Sequence, residues 1–248
     1  MTPYRQSARI YDALCRQKDY RRATRSLIQV LKRFAPDAET LLDVGCGTGR
    51  HLEHLRDRFR VEGFDLSRDM LAIARRRNPG IPFHQGTLVD FNLRHRFDVV
   101  TCLFGSIGYS KTLVNLRKAV RCLALHLRPG GLLIVEPWLT PERFVTGRLV
   151  FDRGDDPDLK FARIYITKRR GAVSIFDSHY VVATPAGVEH FTERQELGLF
   201  TDQQYRMAFR DAGLTVVATT PDLFGYGIYI CRQASLTKRT STTRRRRV

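Results

Sequence analysis

Three glycines at alternate positions, Gly45, Gly47 and Gly49, follow the apolar run Leu41-Leu42-Asp43-Val44, and their type and spacing carry the clearest chemistry in the chain. Without Cβ atoms, they let a ligand lie against bare main chain, with turn amides free where the next helix begins. A G-x-G-x-x-G turn cradles a pyrophosphate, whereas G-x-G-x-G suits a cofactor with no phosphate at that point. Asp65 closes the next apolar stretch, 20 residues after Gly45, where a carboxylate can accept both hydroxyls of a ribose. Together these features point to S-adenosylmethionine (SAM), with its amino-acid end on the glycine turn and its ribose on Asp65. Asp43 before the turn and Leu66 after Asp65 belong to the same expected cofactor wall. A nicotinamide site and a merely tight structural turn are the alternatives.

The elements needed to hold these residues are legible as an alternation. Tyr4 to Phe34 reads as helical and is expected to form a lid over the cleft within residues 1–36. Thr40 to Val44, Arg60 to Asp65, Pro82 to Gln85 and Asp98 to Leu103 read as strands, with helices over Arg50 to Phe59, Ser67 to Arg77 and Leu113 to His126. Arg128-Pro129-Gly130-Gly131 reads as a turn before a buried strand from Leu132 to Pro137. This predicts an α/β fold with a seven-stranded, mostly parallel, Rossmann-like sheet. From 160 to 200 the pattern turns to alternating β-type stretches, read as an inserted antiparallel sheet. Thr201 then starts a helix that Gly213 stops, and a final strand pair follows. In an open α/β sheet the ligand lies beyond the carboxyl ends of the strands. Gly45, Asp65, Gly86-Thr87-Leu88, Leu103-Phe104-Gly105 and Glu136-Pro137-Trp138 are therefore expected around one cleft.

The 248 residues suit one domain over 1–234 plus a basic tail over 235–248, expected to be disordered. Of the net charge of +17, six positive charges belong to that tail, leaving +11 on the body. The tail can attract polyanions such as nucleic acid without specificity, or be a solvated extension. Five scattered cysteines with no C-x-x-C pair fit reduced thiols. No metal site is expected: His51 and His54 share a helix turn but lack a further ligand, and are read as a solvated face. No apolar run is long enough to cross a bilayer and the first residues have no export signature, which predicts a cytoplasmic protein with no membrane partner.

Narrower words carry a resemblance. Met70 to Pro79, Val100 to Gly108 (including Phe104-Gly105-Ser106-Ile107-Gly108), Val135-Glu136-Pro137-Trp138 and Leu199 to Tyr205 are similar to stretches of the class I SAM-dependent N,N-dimethyltransferases of dTDP-linked amino sugars. The resemblance spans Tyr4 to Arg232 and omits the tail. It implies cofactor contacts at Tyr11, Gly45, Asp65, Thr87, Leu88 and Leu103. It places substrate contacts at Tyr4, Tyr20, Tyr109, Trp138, the region Phe151 to Asp155, Arg163 and Tyr226. Two departures matter, because family members carry His at Tyr109 and Arg at Tyr226. A tyrosine hydrogen-bonds an amine or hydroxyl but supplies no permanent charge to a diphosphate, leaving Arg148, Arg153 or Arg163 as replacements.

Methyl transfer from a sulfonium discharges the cation, so the protein mainly holds a neutral nucleophile at near-attack distance. A phenol of ordinary pKa, about 10, is a poor proton acceptor at neutral pH, so Tyr109 is read as orienting the amine. Plainer structural readings stand beside these: Tyr109 capping the following helix, Trp138 filling core, Arg163 on a solvated strand face, Tyr226 shaping a turn. The expected function is N-methylation of a small-molecule amine, on a nucleotide-linked amino sugar, in secondary-metabolite biosynthesis. The alternatives are another amine or hydroxyl acceptor, a nucleic-acid substrate, or a SAM-binding scaffold without turnover. The exposed inserted sheet predicts a homodimer.

Overall fold

The computed structural model describes residues 4–220 and 227–234, so Tyr226 and the basic tail lie outside the described residues. The chain opens with a 3-10 turn over Ser7–Ile10, then α1 (Tyr11–Leu14), α2 (Tyr20–Phe34), β1 (Thr40–Val44), α3 (Arg50–Leu55), β2 (Arg60–Asp65), α4 (Arg68–Arg77) and β3 (Phe83–Gln85). It continues with β4 (Phe97–Cys102), α5 (Leu113–Leu125), β5 (Leu127–Val135), β6 (Leu149–Asp156), β7 (Leu159–Arg170), β8 (Val173–Thr184) and β9 (Gly187–Gly198), and closes with α6 (Asp202–Asp211), β10 (Leu214–Thr220) and β11 (Ile228–Gln233).

Successive strand residues point to opposite faces, and here both faces are apolar. Leu41, Val99 and Leu132 pack with Leu27 and Leu31 of α2, Leu52 and Leu55 of α3 and Leu71 of α4. Their neighbours Leu42, Val100 and Leu133 pack on the other side against Leu116, Val120 and Leu123 of α5 and Phe209 of α6. Each fully buried leucine of these layers contributes about 2 kcal/mol. The seven strands run in the order β10-β11-β5-β4-β1-β2-β3, with β11 antiparallel to both β10 and β5. The helix starts are capped by side chains: Asp19 accepts from the Arg22 N–H (2.8 Å), Ser67 from Met70, Thr112 from Asn115, and Thr201 forms a reciprocal capping box with Gln204.

Four expectations need correction. The helical N-terminus is broken between Leu14 and Tyr20, where Asp19 caps a new helix instead of continuing the old one. The Arg128–Gly131 turn is an irregularity inside β5: Phe97 pairs with Leu127 but Val99 pairs with Leu132, so the extra residues bulge out within a strand rather than preceding it. The inserted sheet has four strands and starts at Leu149, because β6 pairs along its whole length with β7. His51 is also not on a solvated face: it is buried, with Nδ1 3.1 Å from Thr24 Oγ1, and burial pushes its imidazole down to about 4.

The inserted sheet is two-faced. Arg163, Tyr165, Phe176, Tyr180, Phe191, Gln195 and Leu197 share one face by register. Phe151, Ile164, His179, Val181 and His190 share the other, where the two imidazoles stack at 5.8 Å. The N-terminal segment is tied to this sheet by the Glu193 carboxylate, which accepts from the Gln6 N–H (2.6 Å), the Ser7 N–H (3.1 Å) and the Ser7 hydroxyl. On its other side Asp12 pairs with Arg77 and accepts from the Thr48 hydroxyl (2.7 Å) beside the glycine turn. Replacing Glu193 with Leu leaves the amides of residues 6 and 7 without an acceptor. Limited proteolysis should then cleave within residues 4–16 at least several-fold faster, while thermal unfolding of the main sheet shifts by no more than a few degrees.

Candidate active site

β1, β2 and β4 end on one side of the sheet, and a cavity of about 650 Å³ opens there beneath the N-terminal segment and against the inner face of the inserted sheet. Gly45 (φ +79°) has no room for a side chain, since a Cβ would stand 2.6 Å from that of Ser106. Around a Cβ on Gly47, by contrast, there is open space on the cavity side. Asp65 holds this turn in place: its Oδ2 accepts from the Gly47 N–H (2.9 Å) and its Oδ1 from the Ser67 N–H (2.8 Å). Burial raises the Asp65 carboxyl above the usual carboxylate range, opposed by those amide hydrogen bonds.

Eleven sequence-derived candidates meet at this cavity. Tyr11, Gly45, Gly47, Asp65, Leu66, Thr87 and Leu88 line one part, and Tyr4, Tyr109, Trp138 and Arg163 another. Four do not line it, each for a visible reason. Asp43 is buried below the turn, accepting from the Thr101 hydroxyl at 2.8 Å. Gly49 (φ +75°) closes the turn at the start of α3, and a Cβ there would stand 2.6 Å from Asn78 Nδ2. Leu103 points into the core, and Phe104 (φ +58°) supplies the wall instead. Tyr20 stands edge-on to His51 (5.2 Å), under the Arg50 guanidinium and behind Cys15, which lines the cavity in its place. Tyr226 lies outside the described residues.

The Tyr109 hydroxyl donates to that of Tyr4 at 2.7 Å, and burial pushes both phenols well above their ordinary range. Both are therefore neutral at physiological pH. With its proton committed to Tyr4, the Tyr109 oxygen keeps lone pairs that can accept an N–H. Trp138 is fixed by Nε1 donating to Ser174 Oγ (3.1 Å), and the buried Glu136 carboxylate accepts from the Phe104 N–H (2.7 Å), which pins the loop after β4. Arg163 is half-buried rather than solvated. Its Nε and Nη2 both reach Asp152 Oδ2, at 2.8 and 2.5 Å, so this guanidinium meets the cavity already partnered. Of the three arginines proposed as replacements for a missing charge, only Arg163 lines the cavity; Arg148 and Arg153 are exposed elsewhere.

Sequence reasoning missed Lys18, Tyr165, Phe176 and Gln195, which also line the cavity. Lys18 Nζ lies 2.8 Å from the Phe104 ring centroid, and burial lowers its ammonium to about 8. A lone lysine in a charged helical stretch gives no signal. The other three alternate along an inserted sheet whose inward face is visible only once the sheet is placed.

A family described as "Methyltransferase domain" matches residues 41–131. The chain is 41% identical to the dTDP-3-amino-3,6-dideoxy-alpha-D-glucopyranose N,N-dimethyltransferase of Streptomyces fradiae, over 90% of this chain and 89% of that one. It is 39% identical to the dTDP-3-amino-3,4,6-trideoxy-alpha-D-glucopyranose N,N-dimethyltransferase of Streptomyces venezuelae, over 90% and 96%. This chain belongs to the SAM-dependent sugar N,N-dimethyltransferases. A SAM-bound structure of CalS10, an amino pentose methyltransferase from Micromonospora echinaspora, superposes with a TM-score of 0.81 at 36% identity, over 91% of this chain and 97% of that one. The enzyme uses SAM, and the residues present fit it: a side-chain-free turn at Gly47 for the amino-acid end and the Asp65 carboxylate for the ribose.

Burial pushes the Asp43 carboxyl up to about 7, against the hydrogen bond from Thr101. A folded-state pKa raised above the unfolded value means the native state holds more protons across the interval between them, so stability falls as pH rises from about 4 to 7. Asp43→Asn keeps an oxygen for Thr101 and removes the titration. Urea unfolding of this variant should show a flatter stability profile over that interval and a native state at least as stable as wild type at pH 8.

Proposed function

We propose that this enzyme transfers methyl groups from SAM to the amine of a nucleotide-linked deoxy amino sugar, N,N-dimethylating it in the biosynthesis of an antibiotic-type secondary metabolite. The observation that carries this reading is a single cavity that joins the Gly47–Asp65 wall to the Tyr4–Tyr109 hydroxyl pair, with Trp138 and Arg163 beyond it. The two dTDP-amino-sugar enzymes described above support the acceptor class by their names and by full-length similarity.

When bound, SAM supplies an electrophilic methyl whose transfer removes a positive charge. Gly45, Gly47, Tyr11, Asp65, Leu66, Thr87 and Leu88 hold the cofactor. Tyr109 accepts an N–H of the neutral acceptor amine and turns its lone pair toward the methyl, while Tyr4 fixes the Tyr109 hydroxyl. Because both phenols stay neutral, they orient rather than deprotonate, and the amine proton leaves to water. Trp138 offers a flat face to the acceptor. Arg163 meets the nucleotide side, where an anion must compete with Asp152 for it. Asp43, Gly49, Leu103 and Tyr20 support this wall from behind. A second reading, another small amine as acceptor, is favoured by tyrosine at position 109 and by the Arg163–Asp152 pairing, and the assay below separates the two.

Incubation with methyl-labelled SAM and dTDP-3-amino-3,6-dideoxyglucose should give mono- and then dimethylated sugar by mass spectrometry, and no transfer would overturn the acceptor assignment. Asp65→Ala should weaken SAM binding by calorimetry about 10- to 100-fold, the range for losing hydrogen bonds to a charged group.

The protein is taken to act in the cytoplasm as a homodimer. The outer face of the inserted sheet exposes Leu149, Phe151, Ile164, Ile166 and Val181, which a second copy would cover. Sedimentation at micromolar concentration should give the mass of two chains, and Phe151→Lys should shift it to one.

A further inference from the structure

We propose that Gln195 reads the C4 ring hydroxyl beside the reacting C3 amine of the acceptor sugar, making it a specificity-determining residue. Gln195 sits on the inner face of β9 and lines the cavity at 6% exposure, and its Nε2 has no hydrogen-bond partner among the described residues. A buried amide donor left unpaired is costly, and in a ligand site it marks a contact that the ligand completes.

Its place along β9 identifies what it meets. Two residues one way, Leu197 lies 3.2 Å from where a Gly108 Cβ would stand, next to Tyr109. Two residues the other way, Glu193 grips the amides of Gln6 and Ser7, close in sequence to Tyr4. Gln195 is thus level with the Tyr4–Tyr109 pair, where the amine is oriented, rather than with the anionic end of a nucleotide. Its cross-strand neighbour is Phe176, whose ring stands edge-on to Trp138 and Tyr165, and none of the polar groups along this face, Ser174 and Ser178 included, bonds to its Nε2. A diphosphate calls for a cation, whereas a neutral amide suits a neutral group. A hydroxyl both donates and accepts, so either end of the amide can bond to it. Arg163, by contrast, carries a charge and already gives two of its five donors to Asp152.

A site built around a hydroxyl discriminates against the analogue lacking it, because the protein group is then stranded. This inference rests on the amino-sugar reading above, and the names of the two relatives supply a matched pair of probes: the 3-amino-3,6-dideoxy sugar and the 3-amino-3,4,6-trideoxy sugar, which differ by one oxygen beside the amine. Measured as kcat/KM, wild type should favour the hydroxylated probe by about tenfold, the effect of one neutral hydrogen bond. Gln195→Leu should bring the ratio close to one by losing activity on the hydroxylated probe alone. Gln195→Glu, which can still accept from the hydroxyl, should retain part of the preference. SAM affinity by calorimetry should be unchanged in both variants, which reports an intact fold. A wild-type ratio of one overturns the inference without recourse to any variant, as does a ratio that Gln195→Leu leaves intact. If wild type methylates neither probe, the amino-sugar reading falls and this one with it.

Discussion

The bond from the Gly47 amide to the Asp65 carboxylate holds the cleft together. It joins the turn after β1 to the end of β2, and it does so through main chain that has shed its side chains. Gly45 is crowded by Ser106 and Gly49 by Asn78, so the two outer glycines are demanded by packing, while Gly47 is demanded by the space in front of it. The positive φ at all three lets the chain reverse tightly enough for its amides to face the ligand. One carboxylate therefore shapes the turn and lines the cavity at once.

Around that fixed floor the fold divides its labour. The seven-stranded sheet, apolar on both faces, positions the Gly47–Asp65 side of the cavity, and the inserted sheet brings in the facing side as a separate, two-faced unit. Tyr109 stands at the seam, packed beside Leu197 and Trp138 and bonded to Tyr4 from the N-terminal segment. Three parts of the chain distant in sequence thus meet at one pair of neutral hydroxyls on the cavity wall.

The cofactor side was legible because its signals are local: glycines required by a turn, an acid at a strand end, Thr87 and Leu88 after β3. Where the reading erred, tertiary packing decided. Leu103 and Phe104 are adjacent, and only the positive φ of Phe104 determines which one faces the ligand. Asp43 looks like a ligand from its motif, but a strand residue beside the turn points down into the sheet. Arg128–Gly131 has the composition of a turn and behaves as a bulge, because the pairing with β4 continues past it. On the far side of the cavity, Trp138 was legible from the Val135–Trp138 word, while Arg163 was named only by the family resemblance, its strand pattern fitting a solvated face equally well. Lys18 and Gln195 carry no local pattern, and long-range strand register alone brings Gln195 inward.

The N-terminal segment is fastened on both flanks by charged side chains, Arg9 to Glu189 and Arg16 to Asp156 on the inserted sheet, and Asp12 to Arg77 at the glycine turn. The two pairs to the inserted sheet are solvent-facing, individually weak and screened over about 10 Å at ordinary ionic strength, while Asp12–Arg77 is largely buried. Beneath these pairs the segment is seated by a deep apolar contact, the fully buried Ile10 among Phe161, Tyr180, Val182 and Phe191, with Ala13 and Leu14 packed alongside. Apolar burial is indifferent to the screening that weakens the rim pairs, so the electrolyte can loosen the edges of this cover while its seat over the cavity stays set by packing.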